Sequence, residues 1–197
     1  MKARGFTLLE MLVTVSIMAI LLAMALPSLR GTIQKHRLRT STDNLQSAVE
    51  YARAEAMLRA TYVSVCASAD GSTCSAAATY ETGWLVYAHP VATTTASATY
   101  TAGTNGMLLL RVGQALNLVS ARGTDGNVVT FGQQGQLEAV ASRTNATQPM
   151  AFVLCAVTSG SAMPGQNTTR VPGSRIGIST YGGVAGTKLS ATDTCTP

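Results

Sequence analysis

Hydrophobic and polar positions divide the chain into three parts. The first is an apolar run, Phe6–Leu26 (FTLLEMLVTVSIMAILLAMAL), whose sole charge is Glu10. As a helix it spans about 30 Å, the thickness of a bilayer core. It is longer than the apolar region of a secretory signal peptide and is followed by Pro27-Ser28 rather than a small-residue cleavage site, so it reads as a retained anchor. The second part has a helical period. Leu38, Leu45, Val49, Ala52 and Ala56 fall on one side, while Asp43, Glu50, Arg53 and Glu55 lie elsewhere. Glu55 and Arg59 are spaced to pair at i,i+4. Together the two parts predict one helix from Phe6 to Ala60, about 80 Å long, with Pro27 and Gly31 as candidate bending points. Its amphipathic second half needs a sheet to cover it.

After Ala60 the pattern changes to short apolar runs separated by turn residues. The predicted strands are Tyr62–Ala67, Gly83–Ala88, Gly106–Val112, Leu116–Ser120, Val128–Phe131, Ala151–Val157 and Arg175–Ser179. Asp125-Gly126 is a tight-turn signal between two of these runs. Val91–Thr104, rich in Ala and Thr without a period, reads as a surface loop or a weak edge strand. The fold class expected is α+β, a long N-terminal helix packed on a small antiparallel β-sheet domain.

Composition fits this division. A chain of 197 residues accommodates one membrane segment and one modest domain, and its mean hydropathy of +0.22 is high for a soluble protein. The net charge of +5 is mildly basic; it favours anionic surfaces without demanding nucleic acid. The four cysteines, Cys66, Cys74, Cys155 and Cys195, form no C-x-x-C pair, and His36 and His89 are the only histidines, so disulfides in an oxidising compartment are a better reading than zinc. Four cysteines allow three pairings. Sequence order suggests Cys66–Cys74 and Cys155–Cys195, loops that the chain-entropy model values at about 2.5 and about 4 kcal/mol.

Glu10 is costly in an apolar helix unless something neutralises it, and cleavage after Gly5 would give Phe6 a free amine able to do so. The stretch ARGFTLLEMLVTVSIMAILLAMALPSL resembles the leader and helix start of type IV pilins and type II secretion pseudopilins. The resemblance implies that a prepilin peptidase cuts between Gly5 and Phe6 and that Phe6 is then methylated. It implies that Glu10 neutralises the Phe6 amine of a neighbouring subunit and that Pro27 is the helix-bending proline. The corresponding organisation is a leader at 1–5, a transmembrane and assembly helix at 6–27, the amphipathic half at 28–60 and a β-rich globular domain at 61–197. Arg30, Lys35, Arg37 and Arg39 follow the span on the side the family places outside the cytoplasm, against the positive-inside rule. They read as a solvated helix face, or as contacts to anionic lipid headgroups or acidic neighbours in a filament.

The segments VTFGQQG (129–135), MAFVLCA (150–156) and Arg175–Gly182 resemble the globular domain of the FimT/FimU (GspH-like) group of minor pilins and pseudopilins, a helix packed against two small antiparallel sheets. In minor pilins of the FimU type a late disulfide pins the C-terminal tail, as Cys155 and Cys195 would here. The resemblance implies a minor pilin that primes or joins a type IV pilus and serves adhesion, twitching motility or DNA uptake. Alternatives are a minor pseudopilin of a type II secretion system and a DNA-binding pilin. Implied partners are major and minor pilins, the prepilin peptidase and an inner-membrane assembly platform, with an inner-membrane, single-pass location before assembly. Some FimT-like pilins hold DNA through a Gly-Arg-x-Arg motif. The matching place here, Gly182-Gly183-Val184-Ala185, lacks both arginines, leaving Arg170, Arg175 and Lys188 nearby as candidate phosphate contacts.

No catalytic chemistry stands out, and no enzyme activity, metal or cofactor is assigned. His36, in the basic helix segment, and His89, before Pro90, read as surface residues. Gly182, Gly183 and Gly186 read as turn glycines, and Trp84 as a core residue. Asn145-Ala146-Thr147 and Asn167-Thr168-Thr169 fit the glycosylation sequon, a pattern frequent by chance.

Overall fold

The computed structural model describes residues 7–91, 95–104, 106–145 and 148–196, with the backbone but not the side chains of 24–28. A single helix, α1 (Leu8–Arg59), runs for 52 residues, about 78 Å, and stays helical through Pro27 and Gly31. Eight strands follow: β1 (Val63–Ala67), β2 (Trp84–Ala88), β3 (Leu108–Gly113), β4 (Val119–Gly123), β5 (Val128–Phe131), β6 (Met150–Ala156), β7 (Ser174–Ile178) and β8 (Val184–Lys188). They form two antiparallel four-stranded sheets, in the orders β3-β2-β1-β5 and β4-β6-β7-β8.

The predicted apolar side of the helix is the side that packs. Leu38, Leu45, Val49, Ala52 and Ala56 are all buried, in one core with Val63, Val65, Val86, Phe131, Phe152, Leu154, Ile176 and Ile178 from both sheets. Small Ala residues at 48, 52 and 56 let the sheets approach the helix closely. Glu55 and Arg59 form the predicted ion pair.

Each sheet is also covered on the face turned away from α1, which is why β1, β2 and β6 are buried at every position rather than alternating. Behind the first sheet, Cys66, Leu85, Tyr87 and Val128 pack with Tyr100. The disulfide Cys66–Cys74 holds the segment after β1 there; Cys74 N–H donates to the Tyr100 carbonyl, and Tyr100 N–H donates to Cys74 Sγ. The Ala/Thr-rich stretch is thus more than a surface loop, because its described residues 95–104 include buried Ala96 and Tyr100. Behind the second sheet, Val153 and Cys155 pack with Leu189 and Cys195. The disulfide Cys155–Cys195 fastens the C-terminal tail over them. Asn167 adds a polar staple: its amide donates to the carbonyls of Ser190 and Asp193, and its oxygen accepts from Gly173 N–H.

Several expectations need correction. The strand predicted at Leu116–Ser120 begins three residues later, because Leu118 takes a left-handed backbone (φ 57°) that ends the connection before the ladder starts. Asp125-Gly126 turns the chain, but between β4 and β5, which lie in different sheets, so it closes no hairpin. The Asp125 carboxylate instead pairs with buried Arg143 at 3.2 Å and accepts from the amides of Thr144 and Asn145. β8 was not foreseen, since VAGTK is mostly exposed and lacks apolar alternation. Gly186 is accordingly a strand residue rather than a turn glycine, whereas Gly182 (φ 78°) does sit in the β7–β8 turn.

His89 is not a surface residue. It is 3% exposed, its Nε2 lies 2.7 Å from Ser64 Oγ, and its ring stacks against Tyr87. Ser64 in turn meets Thr130 Oγ1 at 2.7 Å, a polar thread inside an otherwise apolar layer. Burial lowers the imidazole pKa to about 4. His36 is exposed, as expected. Trp84 is core, its indole lying against the bare backbone of Gly113 where any side chain would collide.

Candidate functional site

The described part of the N-terminal segment is apolar on every side. Leu8, Leu9, Met11, Leu12, Val13, Val15, Ile17, Met18, Ile20, Leu21 and Leu22 are all exposed. A helix hydrophobic all round belongs inside a larger assembly or a membrane. Among the described residues, no helix is long and apolar enough to cross a membrane. The side chains at 24–28, which continue the apolar run and include Pro27, lie outside the described set, as do Gly5 and Phe6, the positions implied for cleavage and methylation.

At the tip of this segment Thr7 caps the helix. Its hydroxyl accepts from Glu10 N–H at 3.3 Å, and its own N–H donates to Glu10 Oε2 at 3.3 Å. This reciprocal capping box satisfies two orphan backbone donors and places the carboxylate at the positive end of the helix dipole. Glu10 therefore has a local partner within its own chain.

The candidate polyanion contacts are split by the fold. Gly186 faces Gln46 of α1, and the same strand face carries Lys188 into a groove lined also by Lys35, Arg39, Asp43 and Arg170. Arg170 lies across Gly31, where the missing side chain leaves the helix backbone bare; its Cδ and Nε would stand 3.5 Å from a Cβ placed there. Arg175 is one residue out of phase with buried Ile176 and lies against Gly177, Ala185 and Met150 on the other side of the hairpin. Arg170 and Lys188 thus share a site, and Arg175 does not belong to it. The helix cations Lys35 and Arg39 were legible as a basic cluster, but their meeting with Arg170 and Lys188 depends on β8, which the sequence hid.

A comparison with families of known proteins adds to this geometry. The model for the family described as Type II transport protein GspH matches residues 41–177, and that for the Prokaryotic N-terminal methylation motif matches residues 1–26. The chain belongs to the GspH family. It is a membrane-anchored, type IV minor-pilin-like subunit, of a family that assembles with other pilins and serves as structural protein. Among solved structures, the type IV minor pilin FimU of Pseudomonas aeruginosa in one crystal form is 17% identical, with a TM-score of 0.52 over 81% of this chain and 96% of that one. A second crystal form of FimU gives 17% identity and a TM-score of 0.49 over 80% and 99%. At that identity the likeness to the first form speaks for the fold alone. No curated protein matches the sequence.

Proposed function

We propose that the chain is a minor type IV pilin, made as a single-pass inner-membrane precursor, cut after Gly5 by a prepilin peptidase and methylated on Phe6. An assembly platform then draws it into a filament with major and minor pilins, where it primes or joins a pilus serving adhesion, twitching motility or DNA uptake. Its role in this reading is structural, not enzymatic. The observation that carries the reading is the division of α1: one half is apolar on all sides and uncovered, and the other buries one face under its own sheets. Only a bilayer or a bundle of like helices can accept the first half.

The test is the intact mass of the protein from its native host, without reduction. The expected mass is that of Phe6–Pro197 plus one methyl, less four hydrogens for two disulfides. An uncut Met1 start would overturn the reading.

A second reading, a minor pseudopilin of a type II secretion system, is favoured by the match of residues 41–177 to the GspH family. The two separate by where the processed chain is found. Recovery in sheared surface filaments supports the pilus; loss of protein secretion on deletion, with pili intact, supports the pseudopilus.

A further inference from the structure

Elsewhere in the globular domain several basic side chains are answered. Arg122 pairs with Glu81, Arg143 with Asp125, Arg59 with Glu55, and Arg53 donates to the carbonyls of Gly135 and Tyr181. At the end nearest the apolar segment this changes. Arg30, Lys35, Arg37, Arg170 and Lys188 make no ion pair or hydrogen bond among the described residues, and Arg39 has only a loose 3.9 Å pairing with exposed Asp43. Two stretches of chain far apart in sequence bring these cations together. Holding like charges close is unfavourable unless an anion answers them.

Their height along α1 identifies the anion. Contacts of Gly182 with Arg53, of Gly186 with Gln46 and of Arg170 with Gly31 show β8 and the loop before β7 descending toward the N-terminal half. Arg30 and Gly31 lie about 6 and 8 Å beyond Leu26, and Lys35 about 14 Å. The headgroup layer extends about 5–8 Å beyond the hydrocarbon. With the hydrocarbon ending at Leu26, as the anchor reading places it, the guanidiniums of Arg30 and Arg170 would stand at phosphate depth and the Lys35 stem would reach down toward it. Arg39 and Lys188 stand higher and act through their field within about a Debye length.

We infer that the lower end of this groove, Arg30, Lys35 and Arg170, binds headgroup phosphates of anionic phospholipids and seats the globular domain on the bilayer before assembly. This rests on the reading of residues 6–27 as a membrane anchor. It also gives the cations beyond the span, which the positive-inside rule disfavours, a ligand on their own side.

The test uses the full processed chain in nanodiscs of mixed phosphatidylcholine and phosphatidylglycerol, with the lipids that remain bound counted by native mass spectrometry. The wild type is expected to retain phosphatidylglycerol over phosphatidylcholine by roughly fivefold or more, and the double variant Lys35→Gln/Arg170→Gln to lose that preference. Arg175→Gln removes an equal charge from the other side of the hairpin and should leave it unchanged. These side chains are exposed, so an unchanged melting temperature verifies that each variant is folded. Equal retention of both lipids, or an Arg175→Gln loss matching that of Lys35→Gln or Arg170→Gln alone, overturns the inference. So does capture of inorganic phosphate or a short DNA duplex in phosphatidylcholine discs without any lipid preference. A chain that fails to enter the discs at all overturns the anchor reading instead, and the inference with it.

Discussion

Two buried polar groups set how the globular domain responds to substitution and pH. The Arg143 side chain is wholly buried, and Asp125 is its one carboxylate, with further donation to the carbonyls of Asn145 and Gln148. Removing one partner leaves a charge stranded in low dielectric. Asp125→Ala is expected to cost about 3–5 kcal/mol, and Asp125→Ala/Arg143→Met less than the single change; denaturant unfolding of the two variants checks this. His89 gives the pH response. Its pKa falls to about 4 in the fold from an ordinary value of 6.5. The unfolded chain takes up the proton first, so stability is full above about pH 6.5 and falls as pH drops toward 4. The loss reaches up to about 3 kcal/mol. His89→Gln should flatten that part of the stability–pH curve while keeping a hydrogen bond to Ser64. Neither role was legible in the sequence. Asp125-Gly126 has the composition of a hairpin turn, and His89-Pro90 that of an exposed strand end; only tertiary contacts, with the 143–148 segment for Asp125 and with Ser64 and Tyr87 for His89, bury them.

The elements legible in the sequence are α1, β1, β2, β3, β5, β6 and β7; all but β3 have one-sided or complete burial, and β3, exposed or half-buried throughout, is marked by its apolar run alone. β8 escaped because it is the edge strand of its sheet, paired with β7 alone and mostly exposed, so its side chains need not be apolar. The pairing of the cysteines followed sequence order, and the two loops they close do parallel work, each clamping a covering segment on the outer face of one sheet. The longer clamp closes a loop with sequence separation 40, the shorter one with separation 8. Cys155→Ser/Cys195→Ser is therefore expected to cost more, about 4 kcal/mol against about 2.5 for Cys66→Ser/Cys74→Ser. Hydrogen exchange should show the difference in place: the first variant frees residues 189–196 while leaving β1 and β2 protected. Asn167→Ala, which removes the polar staple but not the disulfide, should loosen the same tail to a smaller degree.

At the scale of the whole molecule, α1 joins a self-contained domain to a segment whose apolar side chains, among the described residues, are exposed rather than covered by the domain. In the proposed filament, close packing of that segment against like helices would hold the subunit, and Glu10 would set its register. The capping box separates two things Glu10 does. As a helix cap it needs only an acceptor able to reach Thr7 N–H, and Gln serves that position as Glu does. As the counter-charge to a neighbouring amine it needs to be an anion. Glu10→Gln keeps the first property and removes the second, whereas Glu10→Ala removes both. If charge sets the register, both variants should insert and be processed normally, yet be absent from sheared filaments. Helix content by circular dichroism should be near wild type for Gln and lower by a frayed first turn for Ala. If Glu10→Gln enters filaments as wild type does while Glu10→Ala does not, the cap alone carries assembly, and the amine–carboxylate pairing between subunits has to be given up.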